Sequence, residues 1–418
     1  MATPDCSAFE YCSFVPEPCT DTRTKRQLQA LSYEAAARPL LFHQGLPGYK
    51  STPLYELRAL ARELDLARIW VKDESTRFGC NAFKALGASF AVAGCLSRRL
   101  GEDMCSYGTL TDEHTRRTLG DLTFVTATDG NHGRGVAWAA ARLGHKARVL
   151  LPKGSARARL DNIRREGAHA VVTDLNYDDT VRLAAQMAEQ NGWILVQDTS
   201  WPGYETVPMD IMRGYTTLAR EIVLQLGTRT PPSHIFLQAG VGSFAAAMAV
   251  CLLSAWSDTT MRVFIVEPAA ASCLYRTAKA SDGTLHKVTG PMDSMMAGLC
   301  CGEPSMQAWE LLRHTVHGFL TCADDAAALG MRLLAHPLDE DAAIVSGESG
   351  AVTTGVLYAL MHDADKKALR KALHLDASSR VLLVSTEGNT DPDNYEHVVG
   401  LPDISSLHEK FLRRRSAH

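Results

Sequence analysis

Short apolar runs alternate with longer stretches of mixed character along most of the chain. Several runs of four to six residues are rich in Val, Ile, Leu or Phe. Runs of this kind are typical of parallel strands that are covered on both faces. They predict strands at Arg68–Lys72, Thr123–Ala127, Ala147–Leu151, Ala170–Thr173, Trp193–Gln197, His234–Gln238, Arg262–Val266 and Arg380–Ser385.

Between these strands, apolar positions recur with helical spacing. They predict helices at Gly133–Leu143, Ala156–Glu166, Thr180–Gln190, Gly214–Leu226, Ser243–Trp256, Asp324–Ala335 and Ala351–His362. Strands that alternate with helices indicate an α/β fold, and their number suffices for two parallel-sheet, three-layer domains.

The pattern also suggests where the domains divide. Residues 1–50 are rich in proline and predict an irregular stretch. We expect an N-terminal arm over residues 1–40, a large domain from residues 41–88 and 206–418, and a small domain from residues 89–205. The basic end of the chain, Phe411–His418, is expected to be a solvated tail.

Composition narrows the class of protein. The chain has 418 residues, 46% hydrophobic and 22% charged, with a formal net charge of −4. A nucleic-acid binder would carry a basic face, so we expect no nucleic-acid partner. The longest apolar stretch, Phe244–Trp256, is too short to cross a bilayer, so we expect no membrane partner.

Cysteine usage and the N-terminal residues bear on the compartment. The 11 Cys show no metal-ligand spacing, which favours free thiols in a reducing compartment and no metal ion. Residues 1–20 lack the basic start and apolar run of a secretory signal. We therefore expect a cytoplasmic protein, and a homodimer because that is the commonest closed assembly.

Candidate chemistry gathers in four turns that lead into helices. They are Asn81–Ala88, Thr128–Gly135, Gln238–Ala245 and Ser346–Thr354. In open α/β sheets, ligands bind at the carboxyl ends of the strands, where such turns lie. The sequence therefore predicts one active site, between the two domains.

Lys84 follows the first predicted strand, Arg68–Lys72, and falls on the first turn of a predicted helix. A lysine that forms an imine must lose its proton at some stage. Apolar walls lower the pKa of an amine, and Phe83, Ala85 and Leu86 would supply them. From the residues alone, an ordinary solvated lysine is the more common interpretation of such a short motif.

The second turn, TDGNHG, carries two candidate polar groups and a helix start. Backbone N–H groups around Gly130 suit a substrate carboxylate. Asp129 could pair with an ammonium group and act as a base or acid, or could merely cap the next helix. His132 could assist proton movement or be structural. Asp198, after another strand, could reach the same cleft or be a turn residue.

The third turn suits a phosphate. Gly240, Val241 and Gly242 let the backbone approach an anion, and Ser243 adds a hydroxyl at the helix start. The same GxG also fits a nicotinamide dinucleotide fold, but no GxGxxG follows the first strand. In the fourth turn, Glu348 could contact a ligand or cap a helix.

Several separated motifs resemble one family. KDESTRFGCNAFKALGAS, TDGNHG, QDTSWPGY, AGVGS and GLCCGEPS occur in order and resemble fold-type-II pyridoxal-phosphate (PLP) enzymes, the tryptophan synthase β and threonine dehydratase group. The diaminopropionate ammonia-lyase family is the most similar. The resemblance implies that PLP binds Lys84 beside Phe83, with Asn131 on its 3′-oxygen. It places the phosphate on the Gly240–Ser243 turn of the large domain.

The resemblance also implies an activity and further roles. The activity is PLP-dependent α,β-elimination of 2,3-diaminopropionate, D or L, to pyruvate and two ammonia. Lys84 would take the Cα proton of the L-isomer and Asp129 that of the D-isomer. The substrate would also contact Gly130, His132 and Asp198. Ser385, rather than Thr386, would face the ring nitrogen, and Glu348 would lie beside the ring.

Other functions remain open at this point. A serine or threonine dehydratase, or a hydroxyaspartate ammonia-lyase, would share the fold. The dehydratases usually have Ser where this chain has Asp129, and an extra acid disfavours an anionic substrate. A PLP-binding protein without turnover would keep Lys84 and the phosphate turn but would not need two acids. A nicotinamide dehydrogenase would lack the lysine-bound cofactor.

Overall fold

The computed structural model describes residues 9–227, 230–257 and 260–400. Its strands are β1 Glu10–Ser13, β2 Leu54–Glu56, β3 Arg68–Asp73, β4 Thr123–Ala127, β5 Lys146–Leu151, β6 His169–Val172, β7 Ile194–Leu195, β8 His234–Gln238, β9 Arg262–Pro268, β10 Gly318–Cys322 and β11 Arg380–Ser385. Its helices are α1 Thr22–Ala30, α2 Ala37–Gln44, α3 Arg58–Glu63, α4 Lys84–Arg99, α5 Tyr107–Thr111, α6 Glu113–Leu119, α7 Asn131–Arg142, α8 Arg157–Arg165, α9 Tyr177–Asn191, α10 Thr206–Leu226, α11 Ser243–Ala255, α12 Cys273–Ala280, α13 Met306–Leu312, α14 Asp324–Ala335, α15 Glu348–His362, α16 Lys367–Leu373 and α17 Pro392–Val399.

The strands form two separate sheets. The larger has seven strands in the order β1-β10-β9-β8-β11-β3-β2. Its five inner strands run parallel, whereas β1 and β2 are antiparallel strands at the two edges. The smaller sheet has the order β6-β5-β4-β7, and all four strands are parallel. The predicted α/β class with parallel sheets is confirmed.

Both sheets are covered on both faces, which explains the continuous apolar runs. In β8, Ile235 and Leu237 belong to one core cluster, which includes buried residues of α10 and α11. Phe236, between them, belongs to a second cluster with residues of α14 and α15. Successive side chains of a strand point to opposite faces, so each face has its own core.

The N-terminal part of the chain is more regular than predicted. Residues 1–50 were expected to be irregular, but the described part of them holds β1, α1 and α2. Strand β1 extends the large sheet by pairing with β10, from Glu10 opposite Thr321 to Ser13 opposite Gly318. The first eight residues and the basic tail lie outside the described residues.

The described residues can be searched for a membrane-spanning helix and for a metal site. No helix within residues 9–227, 230–257 and 260–400 combines the length and apolar character that a membrane span requires. The same ranges hold no group of three or more His, Cys, Asp or Glu side chains arranged to hold a metal ion.

A buried ionic cluster fixes the start of the Lys84 segment against α10. Lys72, at the end of β3, donates to Glu221 Oε2 at 2.7 Å. Arg77 donates twice to Glu221 and twice to Glu74, each at 2.8 Å. All four side chains are buried. Because every charge has an opposite partner, the cluster holds residues 72–77 in one arrangement.

Glu221 balances two buried cations, so its neutralisation is expected to be costly. Glu221→Gln should lower the free energy of unfolding by about 3–5 kcal/mol, since Lys72 and Arg77 would lose the charge that pairs with both. Urea denaturation followed by circular dichroism measures this loss.

The matched control is Glu340→Gln. Glu340 pairs with Arg62 at 2.9 Å, but both side chains are more than half exposed. An exposed pair contributes about 0–1 kcal/mol. Equal losses in the two variants would show that the buried cluster does not stabilise the fold as described.

Candidate active site

A cavity open to solvent lies at the carboxyl ends of strands from both sheets. It is lined by residues at or just beyond the ends of β3, β4, β7, β8 and β11, together with residues of α9, α10, α15 and the 298–301 segment. These are Phe83, Lys84, Asp129, Asn131, Tyr177, Asp198, Tyr215, Gln238, Ala239, Gly240, Val241, Gly242, Ser243, Phe244, Gly298, Leu299, Cys301, Ser349, Thr386 and Glu387.

Lys84 is the first residue of α4, and its approach to the cavity is tightly held. Phe83 N donates to Thr386 O at 3.1 Å, and Gly388 N donates to Asn81 O at 2.9 Å. Asn81 adopts a positive φ of 55°, a conformation that Asn tolerates better than most residues. The segment before Lys84 is thus pinned to the chain that leaves β11.

The side chain of Lys84 forms an ion pair inside the cavity. Its Nζ donates to Asp198 Oδ2 at 2.6 Å, and the lysine side chain is 17% exposed. Burial lowers the pKa of Lys84, but the attraction of Asp198, followed by Tyr215 and Asp129, outweighs burial and leaves the pKa above its usual value. The expected lowering by apolar walls is therefore present but is outweighed, because a carboxylate faces the amine.

Asp198 follows β7 and is almost fully buried. Burial raises its pKa, but Lys84 and then His132 outweigh burial and lower the pKa to about 2. Its Oδ1 accepts weak hydrogen bonds from Gln197 Nε2 at 3.4 Å and from Tyr177 Oη at 3.5 Å. Asp198 is therefore an ionised cavity group rather than a turn residue.

His132 lies behind Asp198 and does not line the cavity. Its Nε2 hydrogen-bonds to Val196 O at 2.8 Å, and its Nδ1 is 3.8 Å from Asp198 Oδ2. Burial lowers the pKa of His132 despite the attraction of Asp198. His132 is thus placed against Asp198, outside the lining of the cavity, and not at the surface that a ligand would meet.

Asp129 lines the cavity and does not cap the helix that follows it. Thr128 Oγ1 accepts hydrogen bonds from Gly130 N, just before α7, and from Gly133 N, in its first turn, at 2.9 Å each. Gly130, the residue before the helix, is buried and is not among the residues that line the cavity. Because Thr128 does the capping, the carboxylate of Asp129 is left to face the cavity.

The glycine turn between β8 and α11 forms another wall. A Cβ at Gly240 would lie 3.0 Å from Cys301 Sγ, so the backbone there passes close to the 298–301 segment. Gly242 has φ +101° and immediately precedes α11. The hydroxyl of Ser243 donates to Asp198 O at 2.6 Å, so this residue can offer an anion its N–H but not its O–H. The start of α11 therefore presents N–H groups to the cavity.

Three buried polar atoms on the cavity wall have no hydrogen-bond partner: Gln238 Oε1, Ser349 Oγ and Tyr215 Oη. Buried polar groups are nearly always paired, so this wall is built to meet a polar ligand. A lysine amine, a helix start behind two glycines and unpaired polar groups fit the aldehyde, phosphate and ring of PLP.

Two residues predicted beside the cofactor ring do not line the cavity. Ser385 is buried, and its hydroxyl donates to Ser346 Oγ at 2.8 Å. Thr386, which follows it, does line the cavity and accepts from Gln238 Nε2 at 3.1 Å. The side chains of a strand alternate in direction, so the choice between adjacent hydroxyls could not be made from the pattern. The geometry favours Thr386 over Ser385 as the residue facing the ring.

Glu348 is the second such residue. Its Oε1 accepts from Arg159 Nη2 at 2.5 Å, and it begins α15 behind the cavity. Burial, and then repulsion from Glu387, raises the pKa of Glu348 to about 7. Glu387 lines the cavity instead, and it accepts a hydrogen bond from Asn131 Nδ2.

Part of the lining was not predicted from the sequence. Tyr177 and Tyr215 lie on helices and give no local signal of their own. Glu387 had a signal, because it follows β11 by two residues, at the edge where ligands gather. The GLCCGEPS segment stood out only by resemblance, and it contributes Gly298, Leu299 and Cys301.

Comparison with known proteins agrees with the site. Residues 46–387 match the family model described as pyridoxal-phosphate dependent enzyme. The diaminopropionate ammonia-lyase of Salmonella typhimurium is 48% identical over 381 residues, which cover 90% of this chain and 94% of the relative.

Solved structures give the same result. The holo diaminopropionate ammonia-lyase of Escherichia coli has a TM-score of 0.85 and 42% identity, covering 94% of this chain and 96% of that one. The same enzyme in complex with D-serine has a TM-score of 0.85 and 42% identity, covering 94% and 97%. The family model and the relative that is 48% identical, together with the lysine and the glycine turn of the site, show the family. The chain belongs to the pyridoxal-phosphate-dependent enzymes and, among them, to the diaminopropionate ammonia-lyase family.

Proposed function

We propose that this protein is a PLP-dependent carbon–nitrogen lyase that converts 2,3-diaminopropionate and water to pyruvate and two ammonia. The observation that carries the proposal is that two carboxylates, Asp129 and Asp198, line the same cavity as Lys84. The family to which the chain belongs supports the reaction type.

Bound PLP would draw electrons from the Cα of an amino acid attached to it, which acidifies the Cα proton and allows a group on Cβ to leave. We assign the aldehyde to Lys84 and the phosphate to the start of α11, behind Gly240 and Gly242. In this arrangement Thr386 would face the ring nitrogen, and Asn131, which donates to Glu387, would face the 3′-oxygen.

Lys84 and Asp129 are proposed as the two bases. Lys84 takes the Cα proton from L-diaminopropionate and Asp129 takes it from the D-isomer. Gly298 has no side chain. A Cβ at this position would lie 3.3 Å from Asp129 Oδ2 and 3.0 Å from Ser349 Oγ, so the glycine leaves room beside the carboxylate. The D-serine complex of the E. coli enzyme supports access by a D-amino acid.

The two carboxylates also explain the choice of substrate. Diaminopropionate carries a second amine where serine carries a hydroxyl. A carboxylate pairs more strongly with an ammonium than with a neutral hydroxyl. A site built to pair a polar group rejects analogues that lack it, because its own group would be left unpaired.

We further propose a cytoplasmic homodimer with the domain boundaries predicted above. Ten described cysteines are free thiols, which favours a reducing compartment. The four strands of the small sheet all lie between residues 123 and 195, inside the predicted small domain. Two-fold dimers are the commonest closed assembly of soluble proteins.

Substrate choice is tested by measuring four reactions side by side. We expect pyruvate release from D- and L-2,3-diaminopropionate to exceed pyruvate release from L-serine and 2-oxobutyrate release from L-threonine, each compared as kcat/KM. If kcat/KM for L-serine exceeds that for both diaminopropionate isomers, the enzyme is a dehydratase and the substrate assignment is wrong.

The two-base assignment is tested with Asp129→Asn. A general base contributes roughly 10²–10⁴-fold, so D-isomer turnover should fall by that order while most L-isomer turnover remains. Initial rates of pyruvate release measure both.

The matched variant is Asp198→Asn, another neutralised carboxylate of the same cavity. This variant removes the charge that pairs with Lys84 and should slow pyruvate release from both isomers. A similar loss of both isomers in Asp129→Asn would rule out separate bases.

A further inference from the structure

The carboxylate of Glu387 lines the cavity but takes no part in the proposed reaction. Glu387 follows β11 by two residues and is 2% exposed. Burying a charged group is costly unless hydrogen bonds or opposite charges compensate for the lost water. The partners of this carboxylate therefore indicate what it does in the site.

Three groups donate hydrogen bonds to Glu387. Ser349 N donates to Oε1 at 3.0 Å, and Thr390 Oγ1 donates to Oε2 at 3.3 Å. Asn131 Nδ2 also donates to Oε2. An ionised carboxylate only accepts hydrogen bonds, so it satisfies all three partners at once.

One oxygen of the carboxylate, Oε1, is fixed by the start of α15. Ser349 is the second residue of α15, so its N–H is one of the four that a helix leaves unpaired at its start. A Cβ at Gly347 would lie 3.2 Å from Oε1, so the glycine lets the carboxylate come close to the helix. Because a backbone N–H can only donate, the atom at the Oε1 position must be an acceptor.

The other oxygen, Oε2, determines which way the side-chain amide of Asn131 faces. An amide can present either its NH₂ group or its oxygen to a neighbour. Since a carboxylate only accepts, Asn131 presents Nδ2 to Glu387. That atom carries two N–H bonds, and Oε2 accepts one of them. The second remains for an acceptor in the cavity, which Asn131 also lines.

We propose that Glu387 is a positioning residue that orients the Asn131 amide, so that the second N–H of Nδ2 faces the 3′-oxygen of the cofactor. This inference deepens the proposed function and rests on it for the placement of PLP between Lys84 and Asn131. An N–H at the 3′-oxygen stabilises that oxygen in its deprotonated, negatively charged form.

The variant Glu387→Gln tests the orientation. The N–H of Ser349 keeps the new amide oxygen at the Oε1 position, which retains the contact with α15. The new NH₂ group then faces Asn131, whose amide must turn over and present its oxygen instead. That oxygen and the 3′-oxygen repel each other unless the 3′-oxygen carries a proton.

Absorbance of the holoenzyme reports the position of this proton. With the 3′-oxygen deprotonated, PLP bound to Lys84 absorbs near the visible edge. With that oxygen protonated, the conjugation is shorter and the absorbance lies in the ultraviolet. In Glu387→Gln we expect the ratio of the two bands to change about tenfold towards the ultraviolet, which is what one hydrogen bond to a charged oxygen contributes.

The direction of the change separates orientation from simple charge. Loss of a negative charge beside the cofactor would stabilise the deprotonated 3′-oxygen and enlarge the visible band. Glu348→Gln is the matched control, because it also neutralises a buried carboxylate close to Glu387 but one that does not line the cavity. It should not enlarge the ultraviolet band.

A double-variant cycle tests whether Glu387 acts through Asn131. Asn131→Ala removes the amide, so it should enlarge the ultraviolet band by itself. Adding Glu387→Gln to Asn131→Ala should then enlarge that band no further, because there is no amide left to orient.

A visible band that is unchanged or enlarged in Glu387→Gln would overturn the proposal. An ultraviolet shift of equal size with and without the Asn131 amide would also overturn it. An unchanged spectrum in Asn131→Ala would do so as well, together with the placement of the cofactor. These spectra need PLP on Lys84 but no substrate, so failure of the substrate assignment and failure of the Glu387 assignment are distinguishable.

Discussion

The ion pair between Lys84 and Asp198 is the interaction on which the site depends. It joins an amine and a carboxylate at 2.6 Å in a cavity where both are largely removed from water. Breaking a buried pair by removing one partner is strongly destabilising. If Lys84 holds a cofactor aldehyde as proposed, its amine would no longer pair with Asp198, and the carboxylate would be available to a second amine. In the proposed reaction, Asp198 would pair with Lys84 and with a substrate ammonium in turn.

Sheet topology brings these groups together from distant parts of the chain. Lys84 follows a strand of the seven-stranded sheet, whereas Asp129 and Asp198 follow strands of the four-stranded sheet. Each lies beyond the carboxyl end of its strand, where parallel sheets collect ligands. The buried cluster around Glu221 then holds the segment that leads to Lys84, because its charges fit only one arrangement of residues 72–77.

The sequence predicted the inner framework of the fold better than its edges. All eight predicted strands form, although Trp193–Gln197 shortens to Ile194–Leu195. Strand β10, a fully buried run, was not predicted. The edge strands β1 and β2 are only three or four residues long, and none of their residues is fully buried. Such short strands depend on the neighbour they pair with, which no local pattern records.

The same limit applies to the site. Residues in turns after strands, such as Lys84, Asp129 and Asn131, could be placed in the cavity because topology alone carries them there. Tyr215 could not, because its position depends on how closely α4 and α10 cross, and this is set by Gly87 and Gly214, which are far apart in sequence. The raised pKa of Lys84 was not predicted either, since the apolar residues beside it in sequence matter less than a carboxylate 114 residues away.

Borohydride reduction of the holoenzyme, followed by tryptic digestion and mass spectrometry, tests the central claim most directly. Reduction fixes the cofactor on the lysine that holds it and blocks cleavage there. The account predicts one modified peptide, Phe78–Arg98, in which Lys84 is the only lysine. Modification of another lysine, or none at all, would contradict it.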